Sequence, residues 1–293
     1  MKRPAVPPRG FSLVELLVTM GLLILILGSM YSIFAFNQKT FSVQDQVLAL
    51  NQNILGCTEV IGREARSAGL KVALSGGTLG AVAQMIPSGF LPANPAPVPV
   101  SLSAGDYPVK ITQGSGTNPD AVTIIGALGE GTNPTKLTTA AGSGSTTITL
   151  NLGGSETAAL YTVGDVIYVG EDFENAKVMA VTGSQLTIDT NPAVSGNQGL
   201  IKNHGQWSEV GKISVISYEL FTSASPPVLM RKENSGPFVS VAADITNLQA
   251  VPNGNRTNLT LTARTAAPDS DYGTNSGYRQ KIFNVSVAPK NIK

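Results

Sequence analysis

The feature that most constrains this chain is a run of 26 residues, Phe11 to Phe36, that is almost wholly apolar and carries one charge, Glu15. About 20 apolar residues cross a bilayer as a helix, so the run is long enough to span one. A secretory signal peptide would be shorter and would close on a small-x-small cleavage site, which is absent here. Lys2, Arg3 and Arg9 precede the run and favour a cytoplasmic N-terminus with the remainder exported. Glu15 stands near the front edge. There a carboxylate stays close to the headgroups and avoids the ~2.5–3.5 kcal/mol it costs at the bilayer centre.

The residues around that edge add a second reading. Arg9-Gly10-Phe11-Ser12-Leu13-Val14-Glu15 resembles the processing signal of type IV prepilins and pseudopilins. The resemblance implies that a prepilin peptidase cuts after Gly10, so that residues 1–10 are a leader. It implies that Phe11 becomes the N-methylated terminus and that the apolar segment is retained. It also implies that Glu15 meets the terminal amine of a neighbouring subunit, since an unpaired charge in an apolar filament core is penalised.

The periodicity continues past the membrane-length segment. Val43, Val47, Leu50, Ile54, Cys57 and Ile61 recur at steps of four and three, and no proline falls between residues 11 and 69. This predicts one helix over 11–69, about 58 residues and some 85 Å long. Residues 11–36 are its membrane or filament part, and the stripe beyond packs on the chain's own body. Cys57 lies on the stripe and reads as a small buried hydrophobe. Glu59 and Arg63 form a favourable i, i+4 pair. Arg63 and Arg66 suit the helix C-terminus, and Gly69 suits the residue after it. Gly21 and Gly28 permit close helix packing without proving it.

Residues 70–293 read as one β-rich body. The chain holds 31 glycines and 18 prolines with 13% charged residues, which favours turns and strands over a helical bundle. Residues 71–107 read as surface loop because five prolines fall between Pro87 and Pro99. Alternating segments at 146–152, 257–264 and 281–289 predict strands with one buried face. So do the stretches at 163–170, 177–190 and 212–220, with Gly183-Ser184 as a hairpin turn. Residues 140–200 are rich in glycine and threonine and suggest an inserted β-subdomain. The expected class is α+β: a long N-terminal helix on a β-rich C-terminal domain.

Segments in the first 70 residues and at 210–293 also follow the order seen in PilW-like minor pilins. REARSAGL closes the helix. A strand ending in Tyr218, then ITNLQ, then Pro289-Lys290-Asn291 close the chain. Leu70 and Lys290 depart from that pattern, and the middle of the chain matches only loosely.

Other chemistry is thinly represented. The formal net charge is +1, and losing Lys2, Arg3 and Arg9 with the first ten residues leaves −2, so no nucleic-acid partner is expected. One cysteine excludes an internal disulfide and a cysteine metal cluster. The single histidine, His204, lacks a nucleophile motif and reads as a loop residue. Asp269, Asp271 and Asn275 have oxygen ligands but not the EF-hand spacing, and read as a polar hairpin loop. Glu171, Asp172 and Glu174 read as a solvated turn. GALGEG, 126–131, fits neither the phosphate-loop nor the dinucleotide-binding pattern. No catalytic residue, cofactor or metal is expected.

The resemblance thus implies a minor pilin of a type IV pilus, a structural filament subunit acting in assembly or initiation. Its partners would be the prepilin peptidase, other major and minor pilins, the assembly machinery of the inner membrane, and membrane lipid. It would sit as a single-pass protein with its body in the periplasm, then in the extracellular filament. A minor pseudopilin of a type II secretion system and a membrane-anchored periplasmic binding module are the alternatives; an anchored enzyme lacks a catalytic constellation.

Overall fold

The computed structural model describes residues 12–92, 101–114, 118–128, 134–152, 160–253, 256–269 and 271–290. Helix α1 runs Leu13–Arg66, without a break at the change from apolar to amphipathic composition. The chain divides into two compact units after Ala49.

In the first unit the helix is apolar all round as far as Phe36 and carries polar residues beyond it. Nineteen large apolar side chains from Leu13 to Leu48 keep 54–76% of their surface exposed. It is one helix long and apolar enough to cross a membrane. Thr19, Ser29 and Thr40 bond back to the carbonyls of Leu16, Ile26 and Phe36 at 2.8–3.0 Å. Their hydroxyls therefore need no water, as a membrane-crossing helix requires.

In the second unit the predicted stripe is the buried one. Leu50, Ile54, Cys57, Ile61 and Ala65 are covered, with Ile54 and Ile61 wholly so. The helix closes at Arg66 rather than at 69. Ser67 to Leu70 tighten into turns, and Gly69 sits at φ 77°, the left-handed conformation glycine adopts without strain. Its N–H leaves the helix and donates to the Ile125 carbonyl at 2.8 Å. The open Arg66 carbonyl accepts from the N–H of Lys290 at 3.0 Å, so the end of the chain closes the end of the helix.

Residues 71–107 are not surface loop throughout, as the prolines suggested. Short helix α2, Val82–Met85, and a 3-10 turn at Ser88–Phe90 bury Val72, Leu79, Val82, Met85, Phe90 and Leu91. Apolar residues here outweigh the proline signal, which centres on 93–100, outside the described residues.

The strands follow as β1 (Val109–Thr112), β2 (Ala121–Gly126), β3 (Thr135–Leu137), β4 (Thr147–Asn151), β5 (Val166–Val169), β6 (Glu174–Thr182), β7 (Gln185–Asp189), β8 (Glu209–Phe221), β9 (Val228–Glu233), β10 (Val239–Ala243), β11 (Ile245–Asn253), β12 (Arg256–Arg264) and β13 (Gln280–Val287). The 13-residue β8 is the organising element. From Ser214 onward it lies between β2 and β9 in the antiparallel sheet β1-β2-β8-β9-β10. Up to Ile213 it lies between β3 and β5, which closes β3-β4-β7-β6-β5-β8 into a six-stranded barrel. The barrel spans residues 135–213, wider than the 140–200 segment that composition marked out. It is not separable from the body, because β8 belongs to both. Leu137, Ile148, Leu150, Ile167, Val178 and Ile188 fill it.

The open sheet is covered on both faces. Ile216, Tyr218 and Leu220 of β8 meet the helix stripe. Val215 and Ile125, turned the other way, meet Val72 through Leu91. This is why β2 reads as unbroken apolar sequence and not as an alternating strand. Strands β11-β12-β13 form a separate three-stranded sheet. It places Leu248, Ala250, Leu259 and Leu261 on the same helix stripe.

Candidate functional site

Of the residues singled out in sequence, Gly10 and Phe11 lie outside the described residues. Glu15 falls in the first turn of α1. Ser12 stands just before that turn, and its carbonyl accepts from the N–H of Glu15 at 3.0 Å and of Leu16 at 3.2 Å. Ser12 and Glu15 thus have the types and spacing of a capping box, and an acidic group here suits the helix dipole. A Cβ added at Gly21 or Gly28 would meet nothing within 4 Å. Nothing within this chain therefore requires those two glycines.

Where the stripe ends, a polar network is buried between helix and sheet. Glu64 accepts from the Tyr218 hydroxyl and from Arg231 Nε at 3.1 Å. Arg231 Nη2 also reaches Glu233 at 3.1 Å, and Ser214 donates to Glu233 at 3.0 Å. Burial and then the Glu64 charge raise the Tyr218 phenol above its ordinary value. Burial works against the Arg231 cation, but Glu64 and Glu233 outweigh it and hold its pKa above the usual arginine value. Every charge here has a partner, so the network specifies how helix meets sheet and offers no reactive group. Cys57, two turns earlier on the stripe, has its thiol pushed up to about 11 by burial.

The described part of the loop between β12 and β13 is likewise structural; the Asn275 side chain lies outside what is described. Asp269 is buried and paired with Arg279 at 2.8 and 3.2 Å, and its Oδ1 accepts from the Asp271 N–H at 3.0 Å. Among the described residues no group of three or more His, Cys, Asp or Glu side chains is placed to hold a metal.

Two sequence readings change at the barrel. Glu171 and Asp172 are exposed, but Glu174 is buried and is no part of a solvated turn. Its carboxylate accepts from the backbone of Ile201 and Lys202 and from His204 Nε2 at 2.9 Å. His204 is therefore a buried, carboxylate-bound residue and not an ordinary loop residue. Gly170, at φ 71°, passes so close that a Cβ there would sit 2.4 Å from His204 Nδ1. No local pattern announces this pairing, since 30 residues separate the partners.

Above the pair lies an open groove of about 530 Å³ between the loop carrying Asn203 to Glu209 and the turn at Gly170 to Asp172. Trp207 is 52% exposed on its wall and sits at φ 72°. At the same end of the barrel Lys71 lies 4.7 Å from the Phe173 ring centre and 5.1 Å from that of Tyr168. It also pairs with Glu209 at 3.2 Å. The Tyr168 hydroxyl donates to Glu209, which with Lys71 holds the Glu209 carboxyl below its usual value. Burial, with Glu209, raises the Tyr168 phenol.

No known protein-family model matches the chain, and no curated protein matches it. A solved structure, an endosialidase of phage phi92, aligns at 10% identity over 61% of this chain and 35% of its own, with a TM-score of 0.22. The chain thus spans about a third of that protein's length, and a likeness this low carries no argument about fold or function.

Proposed function

We propose that this chain is a minor pilin of a type IV pilus: cleaved after Gly10, N-methylated on Phe11, held in the inner membrane by α1, then moved into a filament. The observation that carries this is the first unit's helix. Each large apolar side chain left in water forgoes roughly 1.5–3 kcal/mol. Nineteen of them exceed the ~5–15 kcal/mol that holds a whole domain together. That surface needs lipid or other apolar helices around it. A carboxylate at its leading edge, in the first turn, suits a helix that exchanges one cover for the other. Paired with the amine of a neighbouring Phe11, Glu15 would set the register of each addition. The β-rich body would face outward, and its bulk suits an initiating or capping subunit better than a repeating one.

The test is the N-terminal residue and mass of the protein recovered from cells with and without prepilin peptidase. N-methyl-Phe11 appearing only with the peptidase is expected. An intact Met1 in both strains would refute the proposal and leave an anchored module. Co-purification with sheared pili or with a type II secretion pseudopilus then separates the two filament systems.

A further inference from the structure

We propose that the groove at the mouth of the barrel binds a neutral oligosaccharide, with Trp207 as the stacking platform. This inference does not depend on the pilin reading.

The first observation is the backbone of Trp207. A bulky residue at φ 72° is rare and costly, and it persists only where its surroundings fix it. Here they do. The Trp207 N–H donates to the Leu137 carbonyl at 3.0 Å, and Ser208 N–H donates to Gly205 at 3.2 Å. Gln206 Nε2 donates to the Thr138 carbonyl at 2.9 Å. His204 exchanges backbone bonds with Ala141 at 2.8 and 2.9 Å, and its ring is tied down by Glu174. The Asn203 carboxamide accepts from Ser143 N–H at 2.8 Å. A loop fastened at so many points holds half of an indole out in solvent. Packing alone gives no reason for this, because a glycine would fit the backbone better and leave no apolar face in water.

The second observation is what surrounds the indole. The groove volume lies within the roughly 300–1,000 Å³ of small-ligand sites. Its polar wall carries the side-chain amides of Asn203 and Gln206, the carboxylates of Glu171 and Asp172, and the Lys136 amine. Gly205 has open space where a side chain would stand. One flat aromatic face among planar hydrogen-bonding groups matches a pyranose ring, which has one apolar C–H face and a rim of hydroxyls. The groove's exposed lining is more polar than apolar, which suits a hydroxyl-rich ligand better than a hydrophobic peptide side chain. Asp172 is paired with Lys202 at 3.1 Å, and the exposed carboxylate of Glu171 disfavours acidic sugars. Because the site is fixed before binding, little ordering is needed.

Trp207 is the chain's single tryptophan, so its fluorescence reports this groove alone. The full chain, in a detergent without a sugar headgroup, would be titrated with maltotriose and N,N′-diacetylchitobiose. Sialyllactose and trilysine serve as the anionic and cationic probes. A saturable blue shift with at least one neutral probe is expected, together with saturation-transfer NMR signals from the sugar ring protons. Trp207→Gly, which suits the left-handed backbone, should weaken the NMR-detected affinity by roughly tenfold, as loss of the stacking face implies. Gln206→Ala provides a second variant with the indole intact, and should weaken it less. No spectral change with either neutral probe would overturn the proposal. So would preferential binding of sialyllactose or trilysine, or unchanged affinity in a folded Trp207→Gly protein.

Discussion

Replacing Arg231 by alanine removes the one cation set between Glu64 and Glu233. The side chains of Glu64, Arg231 and Glu233 are 10%, 23% and 29% exposed. Glu64 would then be left in a nearly closed site with only the Tyr218 hydroxyl to hold it. Breaking a fully buried pair costs about 3–5 kcal/mol. Some water reaches Arg231, so about 3 kcal/mol is expected. For a unit of this size that is a fall in Tm of roughly 6–12 °C. Thermal unfolding of the full chain in detergent micelles, followed by circular dichroism in the β-sheet region, measures it. Glu64→Gln combined with Arg231→Met removes both charges, and Gln can still accept from Tyr218. The double variant should recover most of the loss, since a buried ion pair and its neutral replacement are often close in stability. A fall below about 3 °C for Arg231→Ala would refute the reasoning. A double variant no more stable than the single one would also do so. Either result would mean that these charges are solvated and that shape alone fixes helix on sheet.

Three further outcomes follow from the same packing. Ile61→Ala, at a wholly buried stripe position, should cost about 2–5 kcal/mol in the same melt, whereas Leu55→Ala, 53% exposed, should cost far less. Gly170→Ala puts a Cβ 2.4 Å from His204 Nδ1 at a left-handed φ; strain and overpacking together predict a loss of about 2–4 kcal/mol, read as an earlier urea transition in Trp207 fluorescence. The Cys57 thiol titrates near 9.0 when exposed and at about 11 in the fold. The native state therefore keeps a proton that the unfolded chain has released, and stability declines as pH rises between those values. Cys57→Ala should lack that part of the decline, and alkylation of the wild-type thiol at pH 8 should follow unfolding.

The fold was legible where its cause was local. A 3.6-residue period marked Leu50, Ile54, Cys57 and Ile61 as one face, and those residues are the buried ones. Two-residue alternation marked Ile148 and Leu150 in β4 and Leu259, Leu261 and Ala263 in β12. Strand β2 escaped the same reasoning because both its faces are covered, so it has no polar side to alternate with. Residues 72–91 escaped because their apolar residues follow neither period over any length and pack from single helical turns and irregular chain.

At the barrel groove the sequence supplied the ingredients without the arrangement. Glu171, Asp172, Glu174 and His204 were all visible as polar residues. Nothing in their spacing separates the exposed pair from the buried pair, because Glu174 is covered only when the distant segment at 201–204 folds over it and brings His204 to its carboxylate. Trp207 drew no attention, since one exposed tryptophan is unremarkable until its backbone angle is known.

By itself, then, the sequence determined the helix, its two surfaces, its end near Gly69 and the membrane-length apolar segment. Each depends on residues within a few turns of one another. Tertiary structure alone decided that β8 serves a sheet and a barrel at once, and that Glu64 meets Tyr218 across 154 residues. It also decided that a buried His204–Glu174 pair supports an exposed indole. These are contacts between distant segments, and their free energy depends on burial and geometry that no local pattern encodes.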